Sequence, residues 1–221
     1  METAVESSAP VAAEEMCSGD DGQIVVVRPR VVDTVGHVLG NMFQRIYHLV
    51  DRTREGDVAV GADLDGSIRR LESFLQLLMD YVSPLTLSVQ EVTLADVAES
   101  LAQQLGAAAG HAVRVGSAGL AQGRLLADAG RVTRAFSLLC SQVRPAPAPA
   151  AIHLTATAAS ATRSFTLVVS IPRGCLFERS SESEIRWAVA EKLLEMHGGM
   201  LQQSSTVSGE TLWEIMLPLQ S

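Results

Sequence analysis

Apolar positions at helical spacing open the readable part of the chain. Val35, Leu39, Met42, Ile46 and Leu49 form one apolar stripe, while His37, Asn41, Gln44 and His48 fall beside it at i, i+4, i+7 and i+11. The pattern predicts a helix from about Pro29 to Arg54, with the proline in the first turn, where its missing N–H costs nothing. Turn residues from Glu55 to Asp63 interrupt it. A second helix is predicted from Leu64 to Val82, on the apolar series Leu64, Ile68, Leu71, Leu75, Leu78 and Val82, and Ser83-Pro84 ends it. Two such helices joined by a short link make a hairpin that cannot cover its own apolar stripe, and a second copy would complete a four-helix bundle.

From Thr93 the pattern changes to mixed helix and strand. Thr93-Leu94-Ala95-Asp96 reads as a capping box, with Asp96 placed for the reciprocal bond, opening a helix to about Leu105. Short strands are predicted at Ala112–Gly116 and Arg124–Ala127, and a helix from Asp128 to Val143. Arg144 to Pro149 alternates proline and alanine as a stiff link. Ile152–Ala158 and Ser164–Ile171 read as paired strands. A polar segment then runs to about Ser183, and a helix follows from Glu184 to His197 until Gly198-Gly199 stops it. A final hairpin, Met200–Ser205 and Thr211–Leu217, turns at Ser208-Gly209. The expected fold is therefore α+β. A two-helix hairpin (23–86) would form a dimeric four-helix bundle, followed by a two-layer α/β sandwich (87–221). Gln23 to Arg28 would be a short strand or the lead into the first helix.

Composition narrows the function classes. The net charge is −8 and the pI about 5.1, which argues against a nucleic-acid partner. Residues 1–22 hold six acids and no Lys or Arg, so the rest of the chain carries only about −2; this start lacks periodicity and reads as a disordered acidic tail. No run reaches the roughly 18 apolar residues of a membrane span, and the acidic start is no secretory signal. The expectation is a cytoplasmic chain with no membrane partner and no input domain. Cys17, Cys140 and Cys175 fit neither a disulfide framework nor a zinc pattern. Lys192 is the only lysine, which reads as codon bias.

His37-Val38-Leu39-Gly40-Asn41 resembles the H-box of sensor histidine kinases, in which a histidine is followed by an acid and, four residues on, by Asn or Thr. The order of parts after it is similar to that family too. Leu71, Leu75, Leu78, Asp80-Tyr81, Ser83-Pro84 and Val92-Thr93-Leu94 resemble the hairpin running into its ATPase domain. Ala188 to Gly199 resembles the last helix with its His-Gly-Gly stop, and Gly209 to Pro218 the closing strand. The resemblance covers roughly residues 30–218.

The resemblance also shows what has been lost. Active members hold the magnesium of ATP with asparagines on a helix that follows an Asp. Here Asp128 introduces that helix, and the matching positions are Leu138 and Gln142. The Asp-x-Gly-x-Gly loop is replaced by Pro172-Arg173-Gly174-Cys175-Leu176. The second glycine-rich loop is replaced by Ser180-Ser181-Glu182-Ser183-Glu184-Ile185, whose acids would repel a triphosphate. Val38 stands where a carboxylate would take the imidazole proton in autophosphorylation. What the resemblance implies is a kinase-dead histidine phosphotransferase of bacterial two-component signalling. His37 would be the phosphoacceptor and Asn41 an auxiliary residue, in a homodimer that meets response-regulator receiver domains. No cofactor would belong to the chain itself, the partner receiver supplying magnesium. A non-catalytic scaffold that docks a kinase or regulator is the alternative, and a weak active kinase a third reading. His48, His111, His153 and His197 read as structural or surface residues, Cys140 and Cys175 as packed thiols, and Trp187 and Trp213 as packing residues, with Trp187 near the former nucleotide pocket.

Overall fold

The computed structural model describes residues 29–55, 57, 60–83, 86–110, 112–120, 123–144, 151–159, 161–173, 175–177 and 180–219. The acidic tail, the Gln23–Arg28 segment, the Pro-Ala link and His111 lie outside these residues. The described residues form five helices: α1 (Pro29–Arg54), α2 (Gly61–Val82), α3 (Leu94–Ala109), α4 (Ala129–Cys140) and α5 (Ser181–Glu195). The larger sheet is formed by β2 (Val113–Ala118), β5 (Ile152–Ala159), β6 (Ser164–Ile171), β9 (Thr211–Pro218) and β8 (Met200–Ser205), in that order. β2 runs parallel to β5, and every other neighbour is antiparallel. Two small antiparallel pairs complete the fold. β1 (Gln90–Thr93) pairs with β3 (Arg124–Ala127), and β4 (Val143–Arg144) with β7 (Leu176–Phe177).

Strand alternation builds the core. On β6, Phe165, Leu167, Val169 and Ile171 are buried, while the residues between them are only partly covered; Leu167 lies opposite Ile215 and Val169 opposite Trp213. These residues meet Leu101 and Leu105 of α3, Phe136 and Leu139 of α4, and Val189 and Leu193 of α5 in one cluster. Trp187, half-buried, stands edge-on to the buried Trp213, with ring centroids 6.2 Å apart. Both cysteines of the described chain are buried thiols, and burial pushes Cys140 up to about 12 and Cys175 in the same direction, so both are packing residues.

The same cluster takes in Val38 and Met42 of α1 and Phe74, Leu77 and Tyr81 of α2. This corrects the expected stripe on α2. Phe74, Leu77 and Tyr81 are the apolar residues that α2 buries, whereas Ile68, Leu75 and Val82 stay exposed and Leu64, Leu71 and Leu78 half-buried. The 3–4 series straddles the edge of the buried face: Leu71 and Leu78 pack partly against the core, while Ile68, Leu75 and Val82 stay exposed.

Several element limits also move. α5 begins at Ser181, three residues before the expected start, because Ser180 and Ser183 form a capping box. Thr93 does cap α3, accepting the Asp96 N–H at 3.1 Å, and Gly110 closes that helix at φ +65°. α4 stops at Cys140, and β2 extends to Ala118. Gly198 is left-handed, at φ +71°, and a Cβ on Gly199 would lie 2.6 Å from the Met216 carbonyl oxygen, so α5 can turn into β8 only through two glycines.

Candidate functional site

α1 exposes His37, Asn41, Gln44 and His48 and buries Val38, Met42 and Leu49. Val38 therefore faces the core, 6% exposed, at the position where the H-box carries its acid. One turn on from the histidine, Asn41 Nδ2 lies 3.0 Å from His37 Nε2. With the amide donating, Nε2 is the unprotonated nitrogen and Nδ1 keeps the proton. A Cβ on Gly36 or Gly40 would touch nothing within 4 Å, so the helix surface beside His37 is open.

A cleft of about 710 Å³ adjoins this face. Asn41 and Arg45 of α1, Gly66 and Arg70 of α2, and Ser180 and Ser181 at the head of α5 stand around it. Its far wall thus belongs to the α/β unit. Arg70 donates to Glu182 Oε1 through Nε at 2.8 Å and Nη2 at 2.5 Å, and Arg186 approaches Oε2 at 3.5 Å. Glu182 is 8% exposed. A buried carboxylate without these guanidinium groups would be costly.

The positions matched to nucleotide binding have other work. Asp128 caps α4, accepting the Arg131 N–H at 3.0 Å and the Ser88 N–H at 2.9 Å. The Ser88 bond, with help from Arg131 and against some burial, holds this carboxyl below the usual carboxylate range. His197 bridges two elements: Nδ1 meets the Leu193 carbonyl at 2.7 Å, and Nε2 accepts the Asp128 N–H at 3.1 Å. The histidine thus ties the end of α5 to the start of α4. Leu138 is buried, and Gln142, also buried, turns its amide back to the Leu138 carbonyl at 3.2 Å. A small cavity of about 250 Å³ remains in front of Leu138, and α2 closes it with Ser73, Phe74 and Leu77. Pro172 and Cys175 close a tight turn through a 2.9 Å backbone bond. Among the described residues, no three His, Cys, Asp or Glu side chains gather as a metal site.

The Asp128 carboxylate gives a pH-dependent prediction. A lowered folded-state pKa stabilises the fold above the unfolded value of about 3.9, and this contribution is lost as pH falls through the folded value. Asp128→Ala should cost about 1 kcal/mol at neutral pH, with the gap to the native chain narrowing below about pH 4. Denaturant titrations at several pH values measure it; a gap independent of pH would contradict the assignment.

No family model and no curated protein matches the chain by sequence. Solved structures match it in fold. The histidine kinase AdeS of Acinetobacter baumannii superposes with a TM-score of 0.60 at 12% identity, over 84% of this chain and 98% of that one. The histidine kinase ThkA, solved in complex with the response regulator protein TrrA, gives 0.62 at 14% identity, over 87% of this chain and 62% of that one. The chain has a histidine-kinase-like fold. Full-length ShkA, solved in complex with AMPPNP, gives 0.52 at 14% identity, over 88% of this chain and 47% of that one. Within this histidine-kinase-like fold, no helix of the described residues is long and apolar enough to cross a membrane.

The sequence pointed to His37 and Asn41 without the bond between them. Arg45 and Arg70 carried no signal in the sequence, and Glu182 stood out only as an acid that would repel a triphosphate, without its partner Arg70. Only Ser180 and Ser183 carried a local signal there, the spacing of a capping box; Arg70 and Glu182 are 112 residues apart.

Proposed function

We propose that the chain is a histidine phosphotransfer protein of a two-component phosphorelay. It works as a homodimer and passes phosphate between receiver domains through His37 without using ATP. The observation that carries this reading is the exposed His37–Asn41 pair on a chain whose nucleotide positions are buried or replaced. The response regulator seated on ThkA, which shares the fold, supports a receiver as partner.

In the forward step the Nε2 lone pair attacks the phosphorus of an aspartyl phosphate. A P–N bond forms, the P–O bond to the aspartate breaks, and the carboxylate leaves with the electron pair. Nδ1 keeps its proton, so no base need act on the attacking atom. Asn41 turns aside and holds a phosphoryl oxygen through the same amide. In the return step a second aspartate displaces the phosphoryl group and restores the imidazole. Magnesium comes with the receiver and supplies the charge neutralisation for both steps. The absence of an acid at Val38 matters little to this exchange, since the histidine needs a lone pair rather than general-base assistance.

The test is to incubate the purified chain with a panel of phosphorylated receiver domains and follow label onto His37. Failure of every receiver to label it would overturn the relay. A second expectation concerns ATP. Calorimetric titration with magnesium-ATP should give no saturable heat, because Leu138, the Pro172 turn and the acidic head of α5 replace all three nucleotide-holding elements. A micromolar constant would contradict it.

A further inference from the structure

The stretch Ser180–Ile185 stands where the resemblance calls for a glycine-rich loop, yet it is the first turn of α5. We infer that this turn is a latch, fixing the α/β unit to the hairpin and holding the wall of the cleft beside Asn41 in place. The inference stands whether or not His37 accepts phosphate.

Five features support it. The Ser180–Ser183 box satisfies the head of the helix from within, with Ser183 N–H donating to Ser180 Oγ at 3.2 Å and Ser180 N–H to Ser183 Oγ at 3.0 Å. The turn is thereby shaped before it meets anything else. Its two acids then point to different helices of the hairpin. Glu182 takes Arg70 of α2 through two N–H groups, and Glu184 accepts the Thr34 hydroxyl of α1 at 3.4 Å. Ile185, fully buried, seats the turn in the shared core. The far end of α5 is held as well. Lys192 Nζ donates to the carbonyls of Tyr81 and Ser83 at the end of α2 and sits 5.6 Å from the Tyr81 ring centroid. Alongside, Arg134 of α4 pairs with Asp80 of α2 at 3.1 Å.

A glycine-rich loop in this position would be free to move, because its backbone is unconstrained and nothing ties it down. Here the capping serines, the paired acids and the isoleucine each remove that freedom. The acids that make the segment unfit for a triphosphate are the groups that make it fit for Arg70.

Hydrogen exchange on the full-length chain tests the latch. Arg70→Glu places two carboxylates together, and amides of residues 181–186 should exchange at least about tenfold faster while those of β6 and β9 stay unchanged. The double variant Arg70→Glu with Glu182→Arg restores opposite charges across the joint and should return exchange to near the native rate. Arg70→Ala, which removes the bond without adding repulsion, is the milder variant should Arg70→Glu disturb β6 and β9. Unchanged exchange over 181–186 in both single variants would overturn the latch, and so would a double variant that exchanges as fast as Arg70→Glu.

Discussion

Label from a phosphorylated receiver should not appear on a His37→Gln chain, while docking of that receiver survives. Glutamine keeps the polarity and nearly the size of the imidazole but offers no nucleophilic nitrogen. His37 is exposed and bonds only Asn41 among the described residues, so the fold should be unaffected. Transfer should fall below detection, a loss of at least about 1,000-fold if the background is set by direct hydrolysis of the aspartyl phosphate. Asn41→Ala should behave differently. It removes the group one turn away, so the lifetime of the phosphorylated receiver should change more than its affinity. Rapid-quench labelling separates the two variants. A His37→Gln chain that sustains normal receiver phosphate levels would sink the relay and leave the scaffold reading in its place, since docking alone would then carry the function.

The other large effect concerns assembly. α1 leaves Phe43 and Tyr47 exposed, and α2 leaves Ile68, Leu75, Met79 and Val82 exposed, Tyr47 at 69% and Met79 at 55%. These side chains lie on the faces turned away from the α/β unit. Covered by a second copy, each would contribute about 1.5–3 kcal/mol. Light scattering should therefore give twice the monomer mass at micromolar concentration. Leu75→Glu places a charge in the middle of the covered face and should cost at least about 3 kcal/mol, weakening the dimer roughly 100-fold. A monomeric native chain would contradict the four-helix arrangement directly.

Much of the fold was legible because its signals are local. The strand Ser164–Ile171 is largely apolar along its length, Met200–Ser205 is bounded on one side by the Gly198-Gly199 stop, and both have the expected limits. Gly198-Gly199 ends α5 for a reason visible in the letters. What was not legible depends on partners far along the chain. The spacing on α2 drew attention to Leu75, whereas the face that meets the α/β unit is Phe74, Leu77 and Tyr81; periodicity finds apolar faces but does not say which neighbour takes each. Lys192 looked like an accident of composition and is a tie between α5 and the end of α2. β1 and β4 are too short to carry a pattern, and each exists only through its pairing. At the site, exposure of His37 followed from the helical stripe. The inward aim of Val38 did not, because it depends on where α5 lies.

The shared core has a consequence for biosynthesis. Val38 and Met42 lie on a helix synthesised well before α5 and β9, yet they join a cluster completed by Ile185 and Val189 of α5 and by Ile215 of β9. Until α5 and β9 have been made, the nascent hairpin must therefore carry its inward face uncovered, because the surface that receives it does not yet exist. Early pairing of two nascent hairpins through the outward faces would leave that inward face still waiting. Chaperone capture, and any slowing of synthesis before α5, should bear most heavily on α1 and α2.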